Sequence, residues 1–246
     1  MATKNQQELY DYKYTEEKGR LLKLRPDAWT TSRYDDTARL LRHGGCGGKL
    51  LEIGCGQGEM ILALAEQFDE LVGFDLSKVR IATAQKMMQE HHPELIGKVE
   101  FRVGDADQRL PFNNGTFDQV IMCAVLEHVV DVFGLMDEVA RVCKVNGYLV
   151  MTVPNICYIK HAIGMLFGRM PITGASTRDI MYWRNNGWDG AHLHYFSKAM
   201  LDALLRNIGF MPEEWTGDGK LAKLRRWYIN LVGNLTVRAK RAQEIK

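Results

Sequence analysis

Apolar residues along this chain fall into short runs that stop at an acid or a glycine, and a helical pattern follows each run. Leu50, Leu51 and Ile53 flank Glu52 and give way to Gly54-Cys55-Gly56-Gln57-Gly58. Behind that loop, Met60, Ile61, Leu62, Leu64, Ala65 and Phe68 recur at helical spacing. A second run, Leu71-Val72-Gly73-Phe74, ends at Asp75, and Ser77 is placed to cap a helix over 79–88. A third strand is predicted at 99–103, ending in Gly104-Asp105-Ala106-Asp107. Asn113-Asn114-Gly115 turns into a fourth at 117–123, and Phe133, Met136 and Val139 mark one face of the next helix. Asn146-Gly147 leads to a fifth strand at 148–153. Five alternations of strand and helix predict a doubly wound, largely parallel α/β sheet.

The flanks are less regular. Residues 1–30 are polar and tyrosine-rich (Tyr10, Tyr12, Tyr14), and a helix is predicted over 31–41, with Tyr34, Ala38 and Leu41 on one face. The glycine run 44–48 ends it. Beyond Pro154 an apolar helix is expected at 156–167, then a long connection over 168–191. Connections longer than about 12–15 residues are uncommon in compact domains and are often lids. Ser197 caps a helix at 198–207 and Gly209 stops it. A strand at 210–216, a helical stripe (Leu221, Leu224, Tyr228, Leu231) and a strand at 233–240 close the chain. The last two strands suit an antiparallel edge on a seven-stranded sheet. The 246 residues are read as one domain, with an N-terminal arm at 1–44 and an insertion at 156–196.

Composition narrows the class. Apolar content of 46% and charged content of 25% are ordinary globular values, and a net charge of +2 gives no strong overall field for nucleic acid or membrane. Five scattered cysteines without a CxxC pair argue against a zinc cluster or a disulfide framework. No leader-like or membrane-spanning apolar stretch is present, so a cytoplasmic protein is expected.

The glycine loop at 54–58 is a ligand site, because glycines let backbone approach closely. Asp75 lies 21 positions after Gly54 (75 − 54), where such folds set an acid on a ribose hydroxyl pair. A dinucleotide fingerprint wants glycine at position 59, but Glu59 stands there. Its carboxylate at a helix N-terminus would repel a pyrophosphate. S-adenosylmethionine carries a sulfonium and an ammonium in place of phosphate, so Glu52 and Glu59 favour it over NAD. Asp105 would suit the adenine amino group.

Glu52-x-Gly54-x-Gly56-x-Gly58, Asp75, Gly104-Asp105-Ala106 and Leu126-Glu127-His128 resemble the signature series of class I S-adenosylmethionine-dependent methyltransferases. Arg141-Val142-x-Lys144-x-Asn146-Gly147 resembles the segment before their fifth strand, and the likeness covers roughly 45–155. The resemblance implies a Rossmann-like seven-stranded sheet and S-adenosylmethionine as cofactor, released as S-adenosylhomocysteine. It also implies cofactor contacts from Glu52, Gly54, Gly56, Gln57, Asp75, Leu76, Asp105, Ala106 and Cys123. Cys123 reads as a small core residue rather than a nucleophile, since nothing nearby in sequence would activate it.

Methyl transfer is an in-line displacement that gains from positioning and from a base. Histidine suits the base near neutral pH, and the candidates are His194, His128 and His192. His192 and His194 are two apart, so an extended segment would point them to one side. With Trp183, Trp188 and Tyr195 they would roof the acceptor site, and the tyrosines of the arm or Trp29 would act as a lid or pack on the surface. Glu127-His128 with a distant histidine cluster is also similar to metal-assisted O-methyltransferases of ubiquinone biosynthesis and of small-RNA ends. Those carry a further glutamate where this chain has Ala124, and neighbours on a helix point about 100° apart. No metal is assigned.

The acceptor reading is a small polar molecule, possibly bearing sugar or phosphate, methylated on oxygen. N-methylation stays open, as does a cofactor-binding regulatory protein without transfer activity. The Asn/Asp-Pro-Pro-aromatic run of enzymes acting on nucleic-acid bases is absent after the fourth strand. The insertion after Val153-Pro154-Asn155 resembles small-molecule methyltransferases and is similar to the methionine-biosynthesis protein W group. The basic C-terminal residues (Lys220, Lys223, Arg225, Arg226, Arg238, Lys240, Arg241) read as a solvated face or a phosphate contact.

Overall fold

The computed structural model describes residues 6–14, 19–174, 179–220 and 227–242. Seven strands form one sheet: β1 (Lys49–Ile53), β2 (Glu70–Asp75), β3 (Val99–Val103), β4 (Phe117–Cys123), β5 (Cys143–Pro154), β6 (Phe210–Thr216) and β7 (Asn234–Arg241). Their order is β3-β2-β1-β4-β5-β7-β6. The first five are parallel, and β7 runs antiparallel to both β5 and β6. The C-terminal strand thus sits one place in from the edge, and β6 is the edge itself.

Burial follows the period-two rule of strands. Leu51, Ile53, Val120 and Met122 face a layer built from α5 (Val132–Val142) and α8 (Lys198–Asn207). Their neighbours Leu50, Ile121 and Val150 face the opposite layer. That layer is made of α2 (Arg33–His43), α3 (Glu59–Leu64) and α4 (Lys78–His91). Both faces of the sheet are therefore covered, as parallel strands require.

Local signals set the helix starts. Ser32 and Asp35 form a capping box at α2, and Ser77, Asp131 and Ser197 cap α4, α5 and α8. Other details differ from the sequence reading. The first helix, α1 (Gln6–Tyr14), has no apolar stripe that would announce it. Asn146-Gly147 does not precede β5 but lies inside it. Register jumps there from Phe117↔Cys143 to Gln119↔Tyr148, and Asn146 takes a φ of 67°. The expected apolar helix is α6 (Ile159–Leu166), and the long connection contains α7 (Ile180–Asn186) and a 3-10 turn, Trp188–Ala191. The stripe from Leu221 to Leu231 falls partly outside the described residues, and its end is a 3-10 turn, Ile229–Leu231. No described helix is long and apolar enough to cross a membrane.

The parallel arrangement brings the loops after β1, β2, β3, β4 and β5 to one end of the sheet. The chain leaves β1 toward β2 on one side and later returns to β4 on the other. That switch point is where open α/β sheets bind ligands.

Candidate functional site

A cavity of about 380 Å³ opens at this switch point. One half is built by the glycine loop and the acids at the strand ends. Gly54 has a φ of 73°, and a Cβ there would lie 2.3 Å from Val125 Cγ2. Only glycine lets the β1 loop pass this close to the β4 loop. Asp75 fastens the arrangement: its Oδ2 accepts from Gly56 N at 2.8 Å and its Oδ1 from Ser77 N at 2.9 Å. Asp105 Oδ1 accepts from Asp107 N at 2.9 Å, and Asp107 Oδ1 accepts from Val130 N (2.7 Å) and Asp131 N (2.9 Å). The third and fourth strand loops are thereby joined across the cavity floor.

Glu52 is buried on the cavity wall, and its Oε2 has no hydrogen-bond partner among the described residues. Burial, with Asp75 and Glu59 nearby, pushes its carboxyl well above the usual carboxylate range. A buried acid raised in this way gains from a cation placed beside it. Leu76, Ala106 and Cys123 also line the cavity. Burial pushes the Cys123 thiol up to about 12, which agrees with a packing role. Gln57 is buried but outside the lining, because the turn closed by Gly58 N on Cys55 O (2.9 Å) keeps it out.

The other half comes from the loop after β4 and from the insertion. Residues 126–128 form an irregular turn, closed by His128 N on Val125 O at 2.9 Å, and not a helix. The helical 100° separation of Glu127 and His128 therefore does not apply. One ligating atom each from Glu127, His128 and His192 lies within 4.8 Å of the others. His192 Nε2 is 4.0 Å from Glu127 Oε1, too far for a hydrogen bond and close enough for one atom to sit between. Glu127 is fully buried, and neither of its carboxylate oxygens is hydrogen-bonded to another described residue. Burial raises its carboxyl to about 7, and Arg33 on the cavity wall opposes that rise.

Hydrogen-bond directions assign the imidazole protons. His128 Nδ1 is 3.0 Å from Ala191 O, and a carbonyl only accepts, so Nδ1 carries hydrogen. His192 Nδ1 is 2.7 Å from Thr173 Oγ1, whose own hydrogen goes to Asp189 Oδ2 at 2.9 Å. Nδ1 of His192 is thus also the donor. In both neutral rings Nε2 is the basic nitrogen. Asp189 is buried and accepts further from Thr173 N, Gly174 N and Tyr195 Oη. It holds a turn in which Asp189 (φ 46°) and Ala191 (φ 69°) are both left-handed. Such non-glycine positions cost of order 1–3 kcal/mol each, so this bonding offsets real strain.

Several expected acceptor-side residues lie elsewhere. His194 Nε2 donates to Val129 O at 3.0 Å and is outside the lining, so it tethers the β4 loop. Trp183 and Trp188 pack on each other at 4.7 Å, the first buried and the second exposed, and neither reaches the cavity. Tyr195 is spent on Asp189, and burial raises its hydroxyl to about 12. Of the arm, Tyr10 lines the cavity, edge-on to His128 at 6.1 Å, whereas Trp29 and Tyr12 are exposed away from it. The side chain of Tyr14 is outside the described residues. Arg33, Tyr34, Arg80 and Thr173 line the cavity without having been anticipated. The Ser32-x-x-Asp35 box could have placed the first two at a helix start.

Residues 51–151 match the model of a family described as a methyltransferase domain. The mitochondrial ubiquinone biosynthesis O-methyltransferase of Homo sapiens is 31% identical over 121 residues, which is 49% of this chain and 32% of that protein. Norajmaline N-methyltransferase of Rauvolfia serpentina is 33% identical over 119 residues, 48% of this chain and 38% of that one. The chain therefore spans well under half the length of these curated relatives. A crystal structure of an S-adenosylmethionine-dependent methyltransferase from Mesorhizobium loti superposes with a TM-score of 0.63 at 17% identity. That match covers 85% of this chain and 98% of the other, and at such identity it speaks for the fold.

Proposed function

We propose that this chain, whose residues 51–151 match a methyltransferase domain, is a class I S-adenosylmethionine-dependent methyltransferase that methylates an oxygen of a small polar acceptor with histidine as base. One observation carries the reading. A single cavity has a buried acid and glycine loop on one side and Glu127, His128 and His192 on the other. The donor half fits S-adenosylmethionine: Glu52 offers a buried oxygen to positive charge, Asp75 faces the ribose, and Asp105 with Ala106 borders the adenine. When bound, this cofactor supplies a methyl group already activated by its sulfonium. Asp75 and the left-handed glycines hold the loop in place for it, and Cys123 closes the wall.

The acceptor half would bring a hydroxyl behind that methyl group. Positioning at about 3–3.5 Å gives effective molarities up to roughly 10⁵–10⁸ M. His192 Nε2 receives the acceptor proton, with the Asp189–Thr173 chain holding its Nδ1–H in place. Glu127, about 4 Å away, stabilises the imidazolium that forms. Tyr10 and the strained 187–191 turn act as lid and roof. A sugar- or phosphate-bearing acceptor fits the polar wall, with Arg33 as counter-charge. An amine acceptor would need the base less, and the N-methylating relative keeps that variant in view. All five cysteines are unpaired, which suits the reducing cytoplasm.

A second reading rests on the same three side chains. Two imidazoles with anchored Nδ1–H groups and one carboxylate make a donor set for a divalent cation. Bonds of about 2.0–2.2 Å would draw the three ligand atoms, which now lie within 4.8 Å of one another, closer together. Incubation with methyl-labelled cofactor and a panel of catechol, sugar and amine acceptors tests both readings. The base reading expects label on an oxygen acceptor, with turnover unchanged by chelator. Loss with chelator and recovery with divalent ion assigns the triad to a metal. No transfer to any acceptor, with cofactor bound, assigns the chain to regulation or partner binding.

A further inference from the structure

Helix α1 is tied by polar bonds to the connection between β2 and α4. Gln7 and Asp11 stand one turn apart and so share a face, with Tyr10 beside them. Gln7 Nε2 donates to Leu76 O at 3.1 Å. Asp11 Oδ1 accepts from Ser77 Oγ at 2.5 Å and from Val79 N at 3.4 Å. Ser77 Oγ in turn accepts from Arg80 N at 3.3 Å, so the acid supports the cap of α4 from outside that helix. Tyr10 reaches the other side of the cavity, edge-on to His128. Glu8 and Tyr12, on the opposite face, are exposed.

This attachment differs from that of the core helices. No described side chain of α1 is buried, whereas α2 buries Ala38, Leu40 and Leu41, and α5 buries Leu135, Met136 and Val139. Single hydrogen bonds are modest in net strength, and segments held by few buried contacts open within the folded state. The arm is fastened again at Arg20, whose Nε lies 2.7 Å from Glu59 Oε1 at the start of α3. Glu59 and Leu76 both line the cavity, and Asp75 directly precedes Leu76. The described parts of the arm therefore meet the start of α3 and the loops after β2 and β4, all at the end of the sheet where the cavity opens. An arm that only covered surface would not need to set its polar side chains on these loops.

We propose that α1 is a clasp that retains the cofactor, with Asp11 as a positioning residue whose bond to Ser77 opens before the cofactor or its demethylated product leaves. The clasp rests on the methyltransferase reading, since the loop that Asp11 fixes follows Asp75, the acid proposed to face the ribose. Binding kinetics of labelled S-adenosylhomocysteine on the full chain, chased with unlabelled compound, test it. Asp11→Ala should raise the dissociation rate about tenfold, the scale of one charge-assisted hydrogen bond. The association rate should not fall, because an open arm leaves the cavity mouth clear. Ser77→Ala removes the other end of the same bond, so its effect on dissociation should not add to that of Asp11→Ala. A parental dissociation rate in Asp11→Ala, a slowed association, or additive effects in the double variant overturns the clasp. A parent that binds no S-adenosylhomocysteine defeats the donor reading and the clasp with it, whereas measurable binding with a parental rate in the variant defeats the clasp alone.

Discussion

The His192→Ala variant is expected to turn over about 10²–10⁴-fold more slowly than the parent, with its affinity for S-adenosylmethionine unchanged. The range is what a positioned base supplies, and the constant affinity follows from geometry. His192 sits with Glu127 and His128 in one part of the cavity, and the glycine loop, Asp75 and Asp105, which are proposed to hold the donor, line another. On the proposed mechanism the loss is expected on kcat, because the proton would be taken only in the transition state. Thr173→Val keeps the ring but removes the acceptor of its Nδ1–H, so a smaller loss and a displaced pH–rate profile are expected. His194→Ala serves as the contrast. Its bond to Val129 O is worth about 1 kcal/mol of stability, and turnover stays near the parental value. Steady-state kinetics on the three variants, beside calorimetry with the cofactor, reads all of this. Parental turnover in His192→Ala would transfer the role of base to His128.

The second large effect belongs to the glycine loop. Gly54→Val places a side chain at a φ of 73°, with its Cβ 2.3 Å from Val125 Cγ2. Left-handed backbone costs roughly 1–2 kcal/mol for a residue with a Cβ, and overpacking adds about 1–3 kcal/mol. The loop or the β4 segment must move, and both border the cofactor half. Cofactor affinity should fall by at least about 10²-fold, since each 1.4 kcal/mol is a factor of ten. Gly97→Ala separates strain from crowding. Gly97 has a φ of 92° but nothing within 4 Å of a Cβ, and it lies outside the cavity lining. That variant should lose some thermal stability and no affinity. Calorimetry and thermal unfolding on both variants make the comparison.

The contrast between the two halves also explains what could be read in advance. The proposed donor half is local: each of its acids and glycines stands at or beside a strand end, and strands announce themselves by apolar runs. Glu52, Gly54, Asp75 and Asp105 were therefore legible one by one, and the alternation placed them at one end of the sheet. The acceptor half is assembled from positions far apart in sequence. Asp189 and Thr173 carry no periodic signal, and their meeting depends on left-handed residues at 187–191. The spacing of His192 and His194 suggested one shared side, yet only His192 lines the cavity, while His194 is held by a carbonyl of the β4 loop. Glu127 and His128 were discounted as joint ligands on helical geometry, and an irregular turn removes that objection. Helix α1 has no apolar stripe in its sequence to announce it. The tryptophans of the insertion looked like an acceptor roof, but aromatic side chains also satisfy one another, as Trp183 and Trp188 do.

The central claim is that the glycine-loop half of the cavity holds a cationic S-adenosyl cofactor against the buried Glu52. Calorimetric titration of the parent with S-adenosylmethionine tests it most directly, repeated from about pH 6 to about pH 8 in buffers of different ionisation heat. Glu52 is raised well above the usual carboxylate range in the free protein, and a cation beside it favours the ionised form. One binding site per chain is predicted, with protons released on binding and affinity rising with pH until Glu52 is ionised without ligand. No binding, or binding that takes up protons, would contradict the account.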